Sequence, residues 1–95
     1  MHRVVWTANA EDDLERLLAY YLNEAGIEVA ESVHQRLREQ VGSLKLFPER
    51  CRPGRVPGTR EFVLARLPYI AVVLVDHKQV TILAVVHTAR KFPSP

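Results

Sequence analysis

The apolar positions follow two kinds of pattern, and the change from one to the other divides the chain near Phe47. Leu14, Leu17, Leu18, Tyr21, Leu22 and Ala25 recur at the three- and four-residue steps of one helical face. Thr7 or Asn9 can cap this helix, Glu11, Asp12 and Asp13 occupy a first turn where the helix dipole favours negative charge, and Gly26 supplies the stop. A second helical pattern starts near Ile27 and carries Val29, Val33, Leu37, Val41 and Leu44, with Ala30 alongside. It runs to Phe47-Pro48, because proline disfavours helix in the residue before it. With only Gly26 and a neighbour between them, the two helices must fold back as an antiparallel hairpin.

The other pattern belongs to strands. His2 to Trp6 is short, β-branched and aromatic, which predicts a first strand. Glu61 to Leu67, Tyr69 to Val75 and Val80 to His87 are apolar, short and joined by connections of hairpin length, Leu67-Pro68 and Asp76 to Gln79. They predict an antiparallel meander, with the place of the first strand left open. The expected architecture is α+β: a small antiparallel β-sheet with an N-terminal strand and an α-helical hairpin packed on one face. In Tyr69 to Val75, Ile70, Val72 and Leu74 point one way and Ala71, Val73 and Val75 the other, so both faces are apolar. Two helices can cover only one of them. The second face therefore predicts a protein partner first, with self-association or curling of the sheet as alternatives.

Composition narrows the class. A chain of 95 residues has room for one domain, expected over residues 1–95, and 47% hydrophobic with 25% charged residues excludes a disordered or fibrous chain. The N-terminus lacks a signal peptide's apolar centre and no run is long enough to span a membrane, which leads to a cytoplasmic expectation with no membrane partner. Cys51 is the single cysteine, so an internal disulfide and an all-cysteine metal site are excluded, and no metal or cofactor is expected. Its neighbours Arg50 and Arg52 would favour a thiolate, but nothing near it resembles a nucleophile site.

The net charge of +2 hides an asymmetry. Asn9 to Leu44 carries eight acids against three arginines, whereas Lys45 to Arg66 carries six bases against Glu49 and Glu61. Pro53, Gly54, Pro57 and Gly58 punctuate a loop lined with Arg50, Arg52, Arg55 and Arg60, which lack matching acids along the sequence. A loop stiffened by prolines loses less entropy when its cations engage a polyanion, so these arginines are candidates for target or nucleic-acid binding. Arg90 and Lys91 at the end of the last strand extend the basic rim.

The order of these segments resembles a known family. A strand, a helical hairpin ending in Leu44-x-x-Phe47-Pro48, the Pro53-Gly54-Arg55-x-x-Gly58-Thr59-Arg60-Glu61 segment, Pro68-Tyr69 opening a strand and a closing Val86-His87-x-x-Arg90 are similar to the RelE/ParE toxins of type II toxin–antitoxin systems. The resemblance covers nearly the whole chain. It implies a growth-inhibiting toxin neutralised in a hetero-oligomer by a ParD- or RelB-like antitoxin, whose C-terminal segment wraps the toxin and whose N-terminal part binds operator DNA. It also implies that the antitoxin lies over the sheet and hairpin, meeting residues such as Leu18, Tyr21, Leu37 and Val73.

The family's two branches imply different targets. ParE-like members poison DNA gyrase without a recognised nuclease site, and RelE-like members are mRNA interferases that cleave messenger RNA on the ribosome. Metal-free RNA cleavage needs an acid, a base and cations on the phosphate. His87 would supply acid or base work, Arg60, Arg66 and Arg90 the charge, and Glu61 a weaker base. Against cleavage, RelE-like toxins carry arginine directly after the aromatic residue of the central strand, where Tyr69 is here followed by Ile70, and they use a C-terminal tyrosine that this chain lacks. The near full-length hairpin also resembles the ParE branch. Gyrase poisoning is thus the leading expectation and ribosome-dependent cleavage the alternative.

Overall fold

Thr7 starts the first helix and joins it to the far end of the chain. Its hydroxyl accepts from the Ala10 N–H at 3.1 Å and donates to the Ile82 carbonyl at 2.9 Å, so one side chain both caps the helix and fastens it to a strand. The computed structural model describes residues 1–90 and 92–93. In chain order the elements are β1 (Arg3–Trp6), α1 (Ala8–Ala25), α2 (Ile27–Gly42), β2 (Arg52–Pro53), β3 (Arg60–Val63), β4 (Tyr69–Val75) and β5 (Gln79–His87). Two 3-10 turns, Ser43–Lys45 and Pro48–Arg50, lie between α2 and β2.

Gly26 alone separates the helices, at φ +92°, a conformation that a side chain would strain. The second helix stops at Gly42, earlier than proline at position 48 would require, and tightens into the 3-10 turn. The Ser43 hydroxyl donates to the Gln40 carbonyl at 2.6 Å, satisfying one helix-end acceptor, while the turn swings Leu44 into the core at 0% exposure.

The sheet order is β1-β5-β4-β3-β2. β3, β4 and β5 form the antiparallel meander, and β1 joins as a parallel neighbour of β5, with Val4 opposite Val80 and Trp6 opposite Ile82. The sheet is therefore mixed: the hairpin between β1 and the meander acts as the crossover that a parallel pair requires. The short β2 forms in the basic loop, where Pro53 is tolerated because it lies on the sheet's outer edge. β3 ends at Val63 rather than continuing to Leu67. There the chain turns through Arg66 at φ +61°, and Gln40 of α2 holds the turn by accepting from the Ala65 N–H and donating to the Ala65 carbonyl.

Ala10, Leu14 and Leu17 of α1 and Val33, Leu37 and Val41 of α2 pack on Phe62, Tyr69, Ala71, Val73, Val80, Ile82 and Val85 to form the core. The opposite face is treated differently. Ile70 and Val72 at its centre are buried and line a small hollow together with Arg55, Glu61, Val86, His87 and Phe92. Val63 and Leu74 at its margins stay exposed. The middle of the second face is thus buried within the chain, with Arg55 of the basic loop and Phe92 beside it, and an apolar border is left.

Candidate functional site

The helix-facing side of β5 meets α1 in a polar seam built around an irregular stretch of strand. The register of β4 and β5 shifts between Val72 and Val73, which pair with Ala84 and Ile82, so Leu83 is left over as a bulge. A bulge frees backbone groups, and α1 engages them. The Asn9 amide donates to the Leu83 carbonyl at 2.9 Å, and Asp13 Oδ2 accepts from the Val85 N–H at 2.9 Å. Arg16 pairs with the other oxygen of Asp13. Replacing Asp13 with Ala orphans the Val85 N–H and is expected to cost about 1–2 kcal/mol by urea denaturation, with faster hydrogen exchange at that amide. Asp13→Asn keeps an acceptor and should cost less.

Beside this seam lie two adjoining hollows of about 250 and 260 Å³ that share Asp13, Arg16, Val85 and Arg90. Tyr69 and His87 line one of them. The rings of Tyr20, Tyr21, Tyr69 and His87 form a chain of edge contacts with centroids 5.5, 6.4 and 5.3 Å apart. Burial, then the neighbouring Tyr21 hydroxyl, pushes the Tyr69 phenol well above its ordinary range, so it is not a base at neutral pH. His87 Nδ1 accepts from the Ala89 N–H at 3.0 Å, which leaves the proton of the neutral ring on Nε2. The geometry brings Arg16 and Arg90 to the same cleft as His87.

The other residues expected to act with His87 lie elsewhere. Arg60 is opposite Val73 and His87 is opposite Tyr69. The offset along β4 is roughly 13 Å and two strand spacings add roughly 10 Å sideways, so their Cα atoms stand about 16 Å apart. Arg66 lies in the β3–β4 turn, where its carbonyl accepts from Arg36 at 3.3 Å. Lys91 falls outside the described residues. Ile70 fills the position of the RelE-type arginine with a buried aliphatic chain.

The basic loop contains the largest departure from the sequence reading. Its arginines do have a matching acid, supplied by β3 rather than by the loop itself. Glu61, 2% exposed, accepts from Arg52 at 3.0 Å and from the Arg55 N–H at 3.0 Å, with the Arg55 guanidinium 3.6 Å away. Burial acts to raise the Glu61 carboxyl, but the Arg55 N–H, the Arg52 hydrogen bond and both guanidinium charges outweigh it and hold the group below its ordinary range. It is a structural anion rather than a base poised for proton transfer. Arg52 and Arg55 remain about half-exposed, and Arg50 stacks over the Phe47 ring at 4.4 Å. Cys51 is buried, and that burial raises its thiol against the opposing charge of Arg60, which disfavours a reactive thiolate.

Two of the four residues expected at an antitoxin contact are corrected by their burial. Leu37 and Val73 are both 0% exposed within the chain's own core, so a partner reaches neither without unfolding the molecule. Leu18 and Tyr21 sit at the core's boundary and are accessible in part. Sequence reasoning read Asn9 as a possible cap and Asp13 as a first-turn acid, and gave Arg16 no role beyond its charge. The i, i+4 spacing of Asn9 and Asp13 puts both on one helical face, but the bulge they serve has no local signature.

A helical hairpin packed on a five-stranded mixed sheet is an α+β fold that this chain shares with toxins of solved toxin–antitoxin systems. The profile described as "ParE toxin of type II toxin-antitoxin system, parDE" matches residues 4–92, and the chain belongs to that family. It is 35% identical to a candidate toxin, Y4kP, of Sinorhizobium fredii over 96% of this chain and 93% of that one. Among solved structures, a chain of the chromosomal ParDE toxin–antitoxin system of P. aeruginosa matches with a TM-score of 0.84 and 32% identity, covering 92% of this chain and 96% of that one. A chain of the RelBE2 toxin–antitoxin complex of Mycobacterium tuberculosis matches with a TM-score of 0.63 and 26% identity, covering 94% and 93%.

Proposed function

We propose that this ParE-family toxin inhibits growth by binding DNA gyrase, without cleaving RNA, and that a cognate ParD- or RelB-like antitoxin neutralises it. The observation that supports this reading is the dispersal of the cleavage candidates: Arg60 and His87 lie two strands apart, with Cα atoms about 16 Å from each other, and neither Arg60 nor Arg66 lines the cleft that holds His87. Glu61 is committed to Arg52 and Arg55, and Ile70 offers no charge. What remains is a binding surface, with Arg50, Arg52, Arg55 and Arg60 on one rim and Arg90 on another. Gyrase and its DNA place the working toxin in the cytoplasm. Operator DNA would be reached only through the antitoxin.

A second reading, ribosome-dependent cleavage of messenger RNA, is favoured by one feature: His87, Arg16 and Arg90 share a cleft. The two readings separate in parallel assays of the purified chain. In a supercoiling reaction the toxin is expected to block gyrase or trap cleaved DNA, with His87→Ala retaining most of the effect. In a cell-free translation reaction messenger RNA is expected to stay intact. Ribosome-dependent cleavage that disappears in His87→Ala would replace the first reading with the second.

A further inference from the structure

The cleft between α1 and the end of β5 carries an excess of hydrogen-bond donors. Among the described residues Asp13 is the one acid in its walls, and both of its oxygens are occupied, Oδ2 by the Val85 N–H and Oδ1 by Arg16. Arg16 directs one N–H to that contact, and its side chain is 69% exposed, so the rest of the guanidinium is open to a ligand. Arg90 is exposed and, among the described residues, takes part in no salt bridge. The segment that carries it is pinned. The Thr88 N–H donates to the Pro68 carbonyl at 2.8 Å, the Ala89 N–H to His87 Nδ1 at 3.0 Å and the Arg90 N–H to the His87 carbonyl at 3.0 Å. With Nδ1 taken, Nε2 is the donor of the His87 ring. Asp12 and Glu15 are not in these walls and share a separate hollow with Arg16.

We propose that this cleft binds a phosphomonoester, the group carried by a free nucleotide or by the phosphorylated end of a strand, with Arg16, Arg90 and His87 as its donors. A phosphomonoester presents three unsubstituted oxygens to three donor groups, whereas an internal phosphodiester presents two. Guanidinium forks match phosphate geometry, and a carboxylate behind such a fork fixes its direction. Asp13 does this for Arg16 and is itself held by the Val85 N–H. Each of the adjoining hollows, about 250 and 260 Å³, admits a phosphate with its sugar but no folded segment of a protein. Val86 and Phe92 supply an apolar wall on which the sugar or base can rest. Tyr69 lines the cleft on the helix-facing side of the sheet, while Ile70, at the position of the RelE-type arginine, belongs to the hollow on the other face. The site is therefore one for holding phosphate, independent of both the gyrase and the antitoxin readings.

Calorimetric titration of the full chain tests this with adenosine monophosphate, adenosine, and a dinucleotide whose single phosphate is a diester. The monophosphate is expected to bind at least about tenfold more tightly than adenosine and about fivefold more tightly than the dinucleotide. Arg90→Gln should weaken it about tenfold, and Arg60→Gln, on the distant rim, by less than about twofold. Arg16→Gln should match Arg90→Gln, with circular dichroism verifying that the variant stays folded once Asp13 has lost its cation. Arg90 is exposed and unpaired among the described residues, so its variant keeps the test decisive if Arg16→Gln unfolds. Amide shifts in NMR spectra should centre on Val85, His87 and Arg90. No binding, equal affinity for adenosine or the dinucleotide, equal losses in Arg90→Gln and Arg60→Gln, or shifts centred on the basic loop would overturn the proposal. An oligonucleotide with a terminal phosphate distinguishes the two sources: tighter binding than the mononucleotide assigns a strand end, and equal binding a free nucleotide.

Discussion

Removing both guanidiniums from Glu61, in the double variant Arg52→Ala, Arg55→Ala, is expected to destabilise the fold by about 3 kcal/mol and to invert the sign of its pH dependence. The carboxylate is 2% exposed, and its two cationic partners lie within 3.0 and 3.6 Å. Alanine keeps the Arg55 N–H but withdraws the charges, leaving a buried anion with one backbone donor. Because both arginines reach solvent, the penalty belongs at the lower end of what a broken buried pair costs.

In the wild type the Glu61 carboxyl lies below its ordinary value of 4.5. The unfolded chain then binds more protons through that window, so this group's stabilisation is fully present above about pH 4.5 and is lost as pH falls through the folded value. With the arginines gone, burial prevails and raises the carboxyl. The group's contribution should then decline as pH rises through the ordinary carboxylate range. Urea titrations at several acidic pH values measure both slopes. A double variant with the wild-type slope would show that Glu61 is not governed by this pair. Glu61→Gln, which removes the buried charge while leaving two half-exposed arginines, should be milder than the double variant.

Leu37→Ala is expected to cost about 3 kcal/mol, close to 15 °C in Tm for a domain this small. Leu37 is 0% exposed, beside Val33 and Val41 on the inner face of α2, and the fixed packing around it cannot collapse fully into the space its side chain leaves. Thermal and urea unfolding check the loss. A second measurement separates a core position from a binding position. At a temperature where both proteins are folded, antitoxin affinity should be unchanged within about twofold, because Leu37 has no exposed area to offer a partner. A Leu37→Ala chain that keeps its Tm but loses antitoxin would return Leu37 to the binding surface.

Arg52 and Glu61 show how far the sequence alone could reach into the candidate site. Four arginines among prolines and glycines read as a basic loop, but their acid lies on the adjoining strand. The pairing depends on β2 folding back so that Arg52 lies opposite Glu61. His87 was legible as a strand-end residue beside Arg90, whereas its separation from Arg60 depends on strand register. Leu37 and Val73 were legible as apolar positions, and only packing distinguishes an apolar core from an apolar contact surface.

By itself the sequence determined what is local. The three- and four-residue spacing of Leu14, Leu17, Val33, Leu37 and Val41 specifies helices with one buried face, and the short β-branched runs specify the meander, because side-chain direction follows directly from backbone repeat. The order of those segments also carried the family resemblance. The tertiary structure decided what depends on residues far apart in the chain. It placed β1 parallel to β5, set the Leu83 bulge and its Asn9 and Asp13 partners, closed the basic loop on Glu61 and held Arg60 away from His87. Each of these turns on register and on which backbone group is left without a ladder partner, and those are settled only when distant segments meet.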